Sequence, residues 1–181
     1  MKKRFFGYFI VLGLITFWSC SPSANKKDKK EVDNRIIQQN DGTVSLIMDK
    51  AARYCDVGNP SNNTADWNVV ISKPGRFKVW LSSATKDTSS LNYQNTVKIS
   101  FLDDHLEANP ACDRIVRDSH EVNFPYFRAD SYMGSVYVSE PGEYNIQLIS
   151  EKVVAKDADS KNNSVAGDTK LMSIMLTPMV R

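Results

Sequence analysis

WNVVISKPGRFKVWL, residues Trp67 to Leu81, decides the fold. Trp67, Val69 and Ile71 share one parity before the turn, and Phe77, Val79 and Leu81 share one after it. Side chains alternate across a strand, so each triplet lines a single face. Between them Lys73-Pro74-Gly75-Arg76 is turn chemistry: Pro presets φ at the first central position, and Gly accepts φ > 0 at the second. The stretch reads as a β-hairpin with an apolar face on each arm. Gly134 to Lys152 repeats the device, with Glu140-Pro141-Gly142-Glu143 as the turn and Tyr144, Ile146 and Leu148 on one face.

Outward from these two units the texture is the same. Thr43 to Tyr54 reads as a strand with Val44, Leu46 and Met48 alternating. Asn95 to Leu102 places Val97, Ile99 and Phe101 on one face, and Leu171 to Pro178 closes the set as a buried strand. Asp56 to Asp66 is a polar loop, Ser82 to Gln94 a Ser/Thr-rich connection, and Ala155 to Thr169 a polar stretch without period. Asp103 to Met133 is the least regular part, with a short strand expected over Glu121 to Phe127. About eight short strands with regular turn signals point to an all-β fold, an antiparallel β-sandwich. The two long connections suit a jelly roll, with an immunoglobulin-like sandwich as the alternative.

The chain opens differently. Met1-Lys2-Lys3-Arg4 is basic, and Phe5 to Trp18 is an apolar run. That run is short of the roughly 20 residues of a transmembrane helix and suits a signal-peptide core. Ser19-Cys20 resembles the lipobox of bacterial lipoproteins, with Phe17-Trp18 in place of the usual aliphatic and small pair. The resemblance implies a signal peptide over 1–19, cleavage before Cys20, and a lipid on that cysteine. Residues 20–40 are then a lysine-rich polar tether that cannot bury a core, and 41–181 form the domain. The expected address is the cell envelope, lipid-anchored, in the outer membrane of a Gram-negative bacterium.

The whole chain carries 23 Lys and Arg against 21 Asp and Glu. From Asp41 onward the balance reverses, to 15 basic and 18 acidic residues. The basic character belongs to the signal and tether, so a nucleic-acid footprint, which needs a clustered basic surface, is not expected. Cys55 and Cys112 are the remaining cysteines, and export would allow a disulfide between them. Two separate buried thiols are the other reading.

The set Trp67-x-Val69-x-Ile71, Lys73-Pro74-Gly75-Arg76-Phe77-x-Val79, Gly134-x-Val136, Pro141-Gly142-Glu143-Tyr144-x-Ile146-x-Leu148 and Leu171-x-x-Ile174-x-Leu176-x-Pro178 spans most of 41–178. It resembles the galactose-binding-like jelly-roll modules appended to bacterial glycoside hydrolases such as α-L-fucosidases, relatives of several carbohydrate-binding module families. The resemblance implies glycan binding at end loops or on a sheet face, and a structural calcium ion in many members. It transfers no site residue by residue.

Sugar sites combine aromatic faces for the ring with a few convergent polar groups. Trp80 has the parity of Lys78 and Ser82, opposite to Val79 and Leu81, so it is a ligand platform or is covered by a loop or the tether. Tyr126, Phe127, Arg128 and Tyr132, with Asp130, form a second candidate surface, or anchor their loop to the core. Asn92, Tyr93 and Asn95 are a third. Asp103-Asp104-His105 with Glu107 is an oxygen-rich turn, a weak calcium candidate without EF-hand spacing. His105 and His120 lack zinc spacing. Neither a GxSxG elbow, a phosphate loop nor a cysteine–histidine signature is present. The expectation is a non-catalytic glycan-binding lipoprotein. An assembly lipoprotein with a protein partner is the alternative, and a carbohydrate-active hydrolase the third reading.

Overall fold

The computed structural model describes residues 33–101, 103–156 and 168–179. The expected signal peptide, Cys20 and all but the last residues of the expected tether lie outside the described residues. Among the described residues, eleven strands form two facing sheets. They are β1 (Arg35–Ile37), β2 (Val44–Ile47), β3 (Ala52–Tyr54), β4 (Thr64–Ile71), β5 (Gly75–Thr85), β6 (Val97–Phe101), β7 (Asp104–Ala108), β8 (Arg114–Val116), β9 (Phe127–Val138), β10 (Gly142–Ile149) and β11 (Thr169–Pro178). Sheet I runs β1-β4-β10-β6-β7, with β3 also on β4, and sheet II runs β2-β11-β5-β9-β8. Every pairing is antiparallel except β1 with β4.

The Pro-Gly turns do something other than expected. Strands β4 and β5 do not pair: Pro74-Gly75 carries the chain from sheet I to sheet II, and Pro141-Gly142 carries it back from β9 to β10. Both units are arches between sheets rather than hairpins. The two arches run side by side, with Gly75 opposite Val138 and Gly142 opposite Ile71. An in-sheet hairpin would put both apolar triplets on one side of one sheet. The arch sets them face to face, so each covers the other. A period of two is the same in both cases, and the pairing partners decide between them. Gly75 takes φ 152°, where a Cβ is disfavoured. Most connections cross in this way: only β3–β4, β6–β7 and β8–β9 pair with the next strand in sequence. The result is a β-sandwich with the wrapping path of a jelly roll.

The core lies between the sheets, with Trp67, Phe77, Phe101, Leu46, Ile174 and Leu176 among its largest enclosed side chains. Trp67 Nε1 donates to the Ile47 carbonyl at 3.0 Å, tying sheet I to sheet II through the core. Its full burial makes Trp67→Ala a loss of about 3–5 kcal/mol.

Four expected boundaries shift. Thr43 to Tyr54 is not one strand: the chain leaves sheet II at Ile47, makes a 3-10 turn over Met48–Lys50, and enters sheet I as β3. Met48 and Ala51 both turn inward there, which breaks the alternation. The Ser/Thr-rich stretch after Leu81 is still strand to Thr85, because its hydroxyls are satisfied inside. Ser83 Oγ meets the Tyr93 hydroxyl at 2.9 Å, and Thr85 Oγ1 meets Thr169 Oγ1 at 3.0 Å. Asp103 to Met133 contains β7, β8 and the first half of β9, and the strand expected over Glu121 to Phe127 begins only at Phe127. The domain also starts before Asp41. Arg35–Ile37 pairs with Asn68–Val70, and the Gln38 amide accepts from the Ser72 and Lys73 N–H groups while donating to the Gly42 and Lys73 carbonyls. Polar composition hid this segment, since its partners supply the burial it lacks.

Candidate binding face

The outward side of sheet II gathers most of the expected residues. Trp80 sits there, half-buried, with its centroid 5.2 Å from that of Tyr132 and the two rings tilted by 56°. A bulge in β9 makes this pairing. Val79 faces Gly134 and Trp80 faces Tyr132, so Met133 is the extra residue and turns into the core. The bulge shifts the parity of β9, which lets Tyr132 and Tyr137 both point outward. Gly134 permits it: its φ is 129°, and a Cβ there would meet Leu106 Cδ2 of β7 at 3.1 Å. Tyr132 and Tyr137 are 45% and 57% exposed.

Beside the aromatic pair lies a buried ion cluster. Asp130 is wholly enclosed, although it belongs to the outward parity. It accepts from Ser82 Oγ at 2.7 Å, from Arg128 Nε at 2.8 Å and from Arg114 Nε at 2.9 Å, with Arg114 Nη2 as a further donor. Burial alone would raise its pKa, but the bonds from Arg128, Ser82 and Arg114 hold it below the ordinary carboxylate value. Arg128 feels the reciprocal effect. Burial opposes its charge, while Asp130, and Glu121 at 2.8 Å from its Nη1, push its pKa up. Arg114 then reaches over Trp80, with its guanidinium carbon 5.1 Å from the ring centroid. A cation on that face attracts the ring quadrupole. Trp80 is thus framed by Tyr132 and Arg114 and not hidden under a loop. A second pair on the same side sets Arg76 6.0 Å from the Tyr137 centroid.

Of the expected residues, Trp80, Arg128 and Tyr132 come together here, and Asp130 joins them. Tyr126 does not: it stands before the start of β9, under Lys86 Nζ at 5.2 Å. Phe127 has the inward parity of Ala129 and is half-buried opposite Thr85. Arg114 is the residue that sequence reasoning missed. The β-branched pair Ile115-Val116 beside it is the one local strand signal, and it reaches Asp130 because three-residue β8 pairs with β9.

The other candidates lie elsewhere. The Tyr93 hydroxyl is enclosed against Ser83, and burial pushes its pKa well up, while Lys152 Nζ lies 5.6 Å from the ring centroid. Asn92, with φ 49°, and Asn95 are exposed beside it. Asp103 and Asp104 stand exposed where β7 begins, His105 Nδ1 is 3.2 Å from Ser100 Oγ, and Glu107 pairs with Lys98 at 3.5 Å. Among the described residues no three His, Cys, Asp or Glu side chains gather closely enough to hold a metal ion. Cys55 and Cys112 are free thiols rather than a disulfide. Cys55 Sγ lies 3.8 Å from the Val153 carbonyl, while Cys112 feels Asp87 and Asp113. Each belongs to a different loop with its own neighbours. Burial raises both thiol pKa values, against Arg53 at Cys55 and together with the two aspartates at Cys112.

No protein-family model matches the sequence, and no curated protein matches it. Solved structures do. An α-L-fucosidase from Vibrio sp. strain EJY3 superimposes at a TM-score of 0.64 with 24% identity, over 82% of this chain and 24% of that one. A β-(1,4)-mannanase from Podospora anserina follows at 0.46 and 14%, over 78% of this chain and 28% of that one. The mosquito-larvicidal Cry4Aa toxin from Bacillus thuringiensis gives 0.47 and 11%, over 82% and 25%. The chain thus spans about a quarter of the length of each. The fucosidase likeness is one of fold: this chain is built as the same kind of β-sandwich.

Proposed function

We propose that this protein is a non-catalytic, lipid-anchored envelope protein whose sandwich binds a glycan on the outward face of sheet II. The observation that carries the reading is the Trp80–Tyr132 pair, half-exposed and bordered by Arg114 and Arg128 on a buried carboxylate. Aromatic rings take the C–H face of a pyranose, and fixed polar groups at their rim take hydroxyls. A sandwich of this fold occupying part of a chain described as an α-L-fucosidase supports a carbohydrate ligand. Asp130 itself is not read as a catalytic acid. A carboxylate held ionised by two arginines is a poor general acid, so this cluster orients side chains and does not transfer protons.

A glycan array with the full-length chain tests the glycan reading, repeated with Trp80→Ala and Tyr132→Ala. Binding by the wild type and its loss in both variants is the expected result; a folded wild type that captures no glycan overturns it. The anchor is tested separately by Cys20→Ala, which should abolish lipid labelling and release the protein from the membrane fraction.

Exposed Ile47, Tyr132, Tyr137 and Met179 favour a second reading, a protein partner. Ile47, Tyr132 and Tyr137 share the outward side of sheet II. Co-purification that depends on Tyr137 and Ile47, with no glycan bound, would select it.

A further inference from the structure

The outward faces of the two sheets differ in charge. On sheet I, Arg35 pairs with Glu143 at 3.6 Å and Lys98 with Glu107 at 3.5 Å, and Asp66 is left as the surplus. On sheet II, Arg76 and Lys78 of β5, Arg114 of β8, Arg128 of β9 and Lys170 of β11 share the outward side with one carboxylate, Asp130. The loops before and after β8 add Asp113 and Glu121, which still leaves the cations in excess. Asp113 accepts the Tyr132 backbone N–H at 2.7 Å, and Glu121 pairs with Arg128. The surplus therefore falls at particular places. Arg76 and Lys78 are exposed and form no ion pair among the described residues. Arg114 gives Nε and Nη2 to Asp130, which leaves Nη1 on a side chain that is 53% exposed.

These groups are arranged in a line. Arg76, Lys78 and Trp80 occupy alternate positions of one strand, so their Cα atoms step by about 7 Å and span about 13 Å. Arg114 stands at the Trp80 end, and Tyr137 flanks the Arg76 end. Unpaired like charges on one face repel one another, and a ligand of opposite charge relieves that repulsion while it is steered in.

We infer that the ligand of this face is an anionic glycan, one bearing carboxylate or sulfate groups. Trp80 and Tyr132 hold a ring, and Arg76, Lys78 and the Nη1 edge of Arg114 hold the charged substituents. The inference rests on the glycan reading above and adds the chemical class.

Affinity electrophoresis of the full-length chain tests it, with gels containing polygalacturonate, dextran sulfate, neutral dextran or neutral galactomannan. Phosphatidylglycerol vesicles are assayed in parallel by co-sedimentation. A polyanion should retard the wild type and the neutral polymers should not. The double variant Arg76→Glu/Lys78→Glu should weaken that retention about tenfold or more. Trp80→Ala should weaken it as well, with circular dichroism reporting the fold of each variant. The lysines at 26–30 are common to every variant, so a difference between variants reports the face. Retardation by a neutral polymer as strong as by the polyanions overturns the inference and leaves the glycan reading standing. Retardation by no polymer overturns both. Polyanion binding unchanged by Trp80→Ala is general ion exchange, and vesicle binding that Arg76→Glu/Lys78→Glu weakens more than it weakens retention by any polymer points to a headgroup, since a lipid on Cys20 is common to every variant; either result overturns the inference.

Discussion

Each outward face of the sandwich holds a desolvated carboxylate, and the two are solved differently. On sheet II, Asp130 is enclosed by two arginines and a serine hydroxyl. On sheet I, Asp66 ends a chain of amides. Asn145 Nδ2 donates to Asn68 Oδ1 at 3.3 Å, Asn68 Nδ2 to Asn34 Oδ1 at 3.2 Å, and Asn34 Nδ2 to Asp66 Oδ2 at 3.3 Å. The other oxygen, Oδ1, is buried and accepts no hydrogen bond among the described residues. Burial raises the Asp66 pKa, and the neutral amides only partly oppose it. The contrast teaches what decides the fate of a buried acid. Depth matters less than whether its donors carry charge.

Asp130→Ala should show the largest effect. It leaves Arg128, which is 13% exposed, without its main partner, and breaking a buried pair this way costs about 3–5 kcal/mol. Urea denaturation measures it; a loss below about 1 kcal/mol would mean that the cluster contributes nothing to the fold. Arg128→Ala should cost less, about 2–3 kcal/mol, because Arg114 still holds the carboxylate.

How legible was this in the chain? The inward triplets of β4 and β5 were readable from parity alone, as was the outward placement of Trp80. Their connection was not, because hairpin and arch share one pattern of apolar residues, and only the pairing of β5 with β9 and β11 separates them. The ion cluster was legible in half. Arg128 and Asp130 are neighbours in sequence, but Arg114 joins them through a strand of three residues. The parity of Tyr132 depends on a bulge at Met133, and a bulge has no period. Gln38 looked like tether because its burial comes from the Ser72-Lys73 backbone.

The acid dependence of the two carboxylates should differ in sign. The folded pKa of Asp130 is depressed, so its contribution is present above the unfolded value of about 3.9 and fades as pH falls through the lower, folded value. The folded pKa of Asp66 is raised. In the window from about 3.9 up to that higher value the folded chain binds more protons, and stability declines as pH rises. Denaturation midpoints taken from pH 3 to 7 should therefore show the wild type losing the Asp130 term on the acid side. Asp66→Asn should remove the opposing slope. A steeper slope in that variant would invert the assignment.

Smallest of all, Asp66→Asn at pH 7 should leave stability unchanged or raise it by up to about 1 kcal/mol, since it keeps an acceptor for Asn34 and discharges the buried group. A loss above about 1 kcal/mol would mean that the carboxylate is doing more than the amides show.

The parallel strand β1 has a mechanical consequence. Load arriving from the N-terminal side enters the domain along Arg35–Ile37, whose bonds to β4 lie across the direction of pull and share it in shear. Gln38 comes next in line. Its carboxamide takes the Ser72 and Lys73 N–H groups, and Lys73 Nζ reaches the Asn40 carbonyl, so the β1–β2 turn is pinned to the first arch. A short strand and one glutamine thus take such a load first and pass it to the backbone of β4 and the first arch.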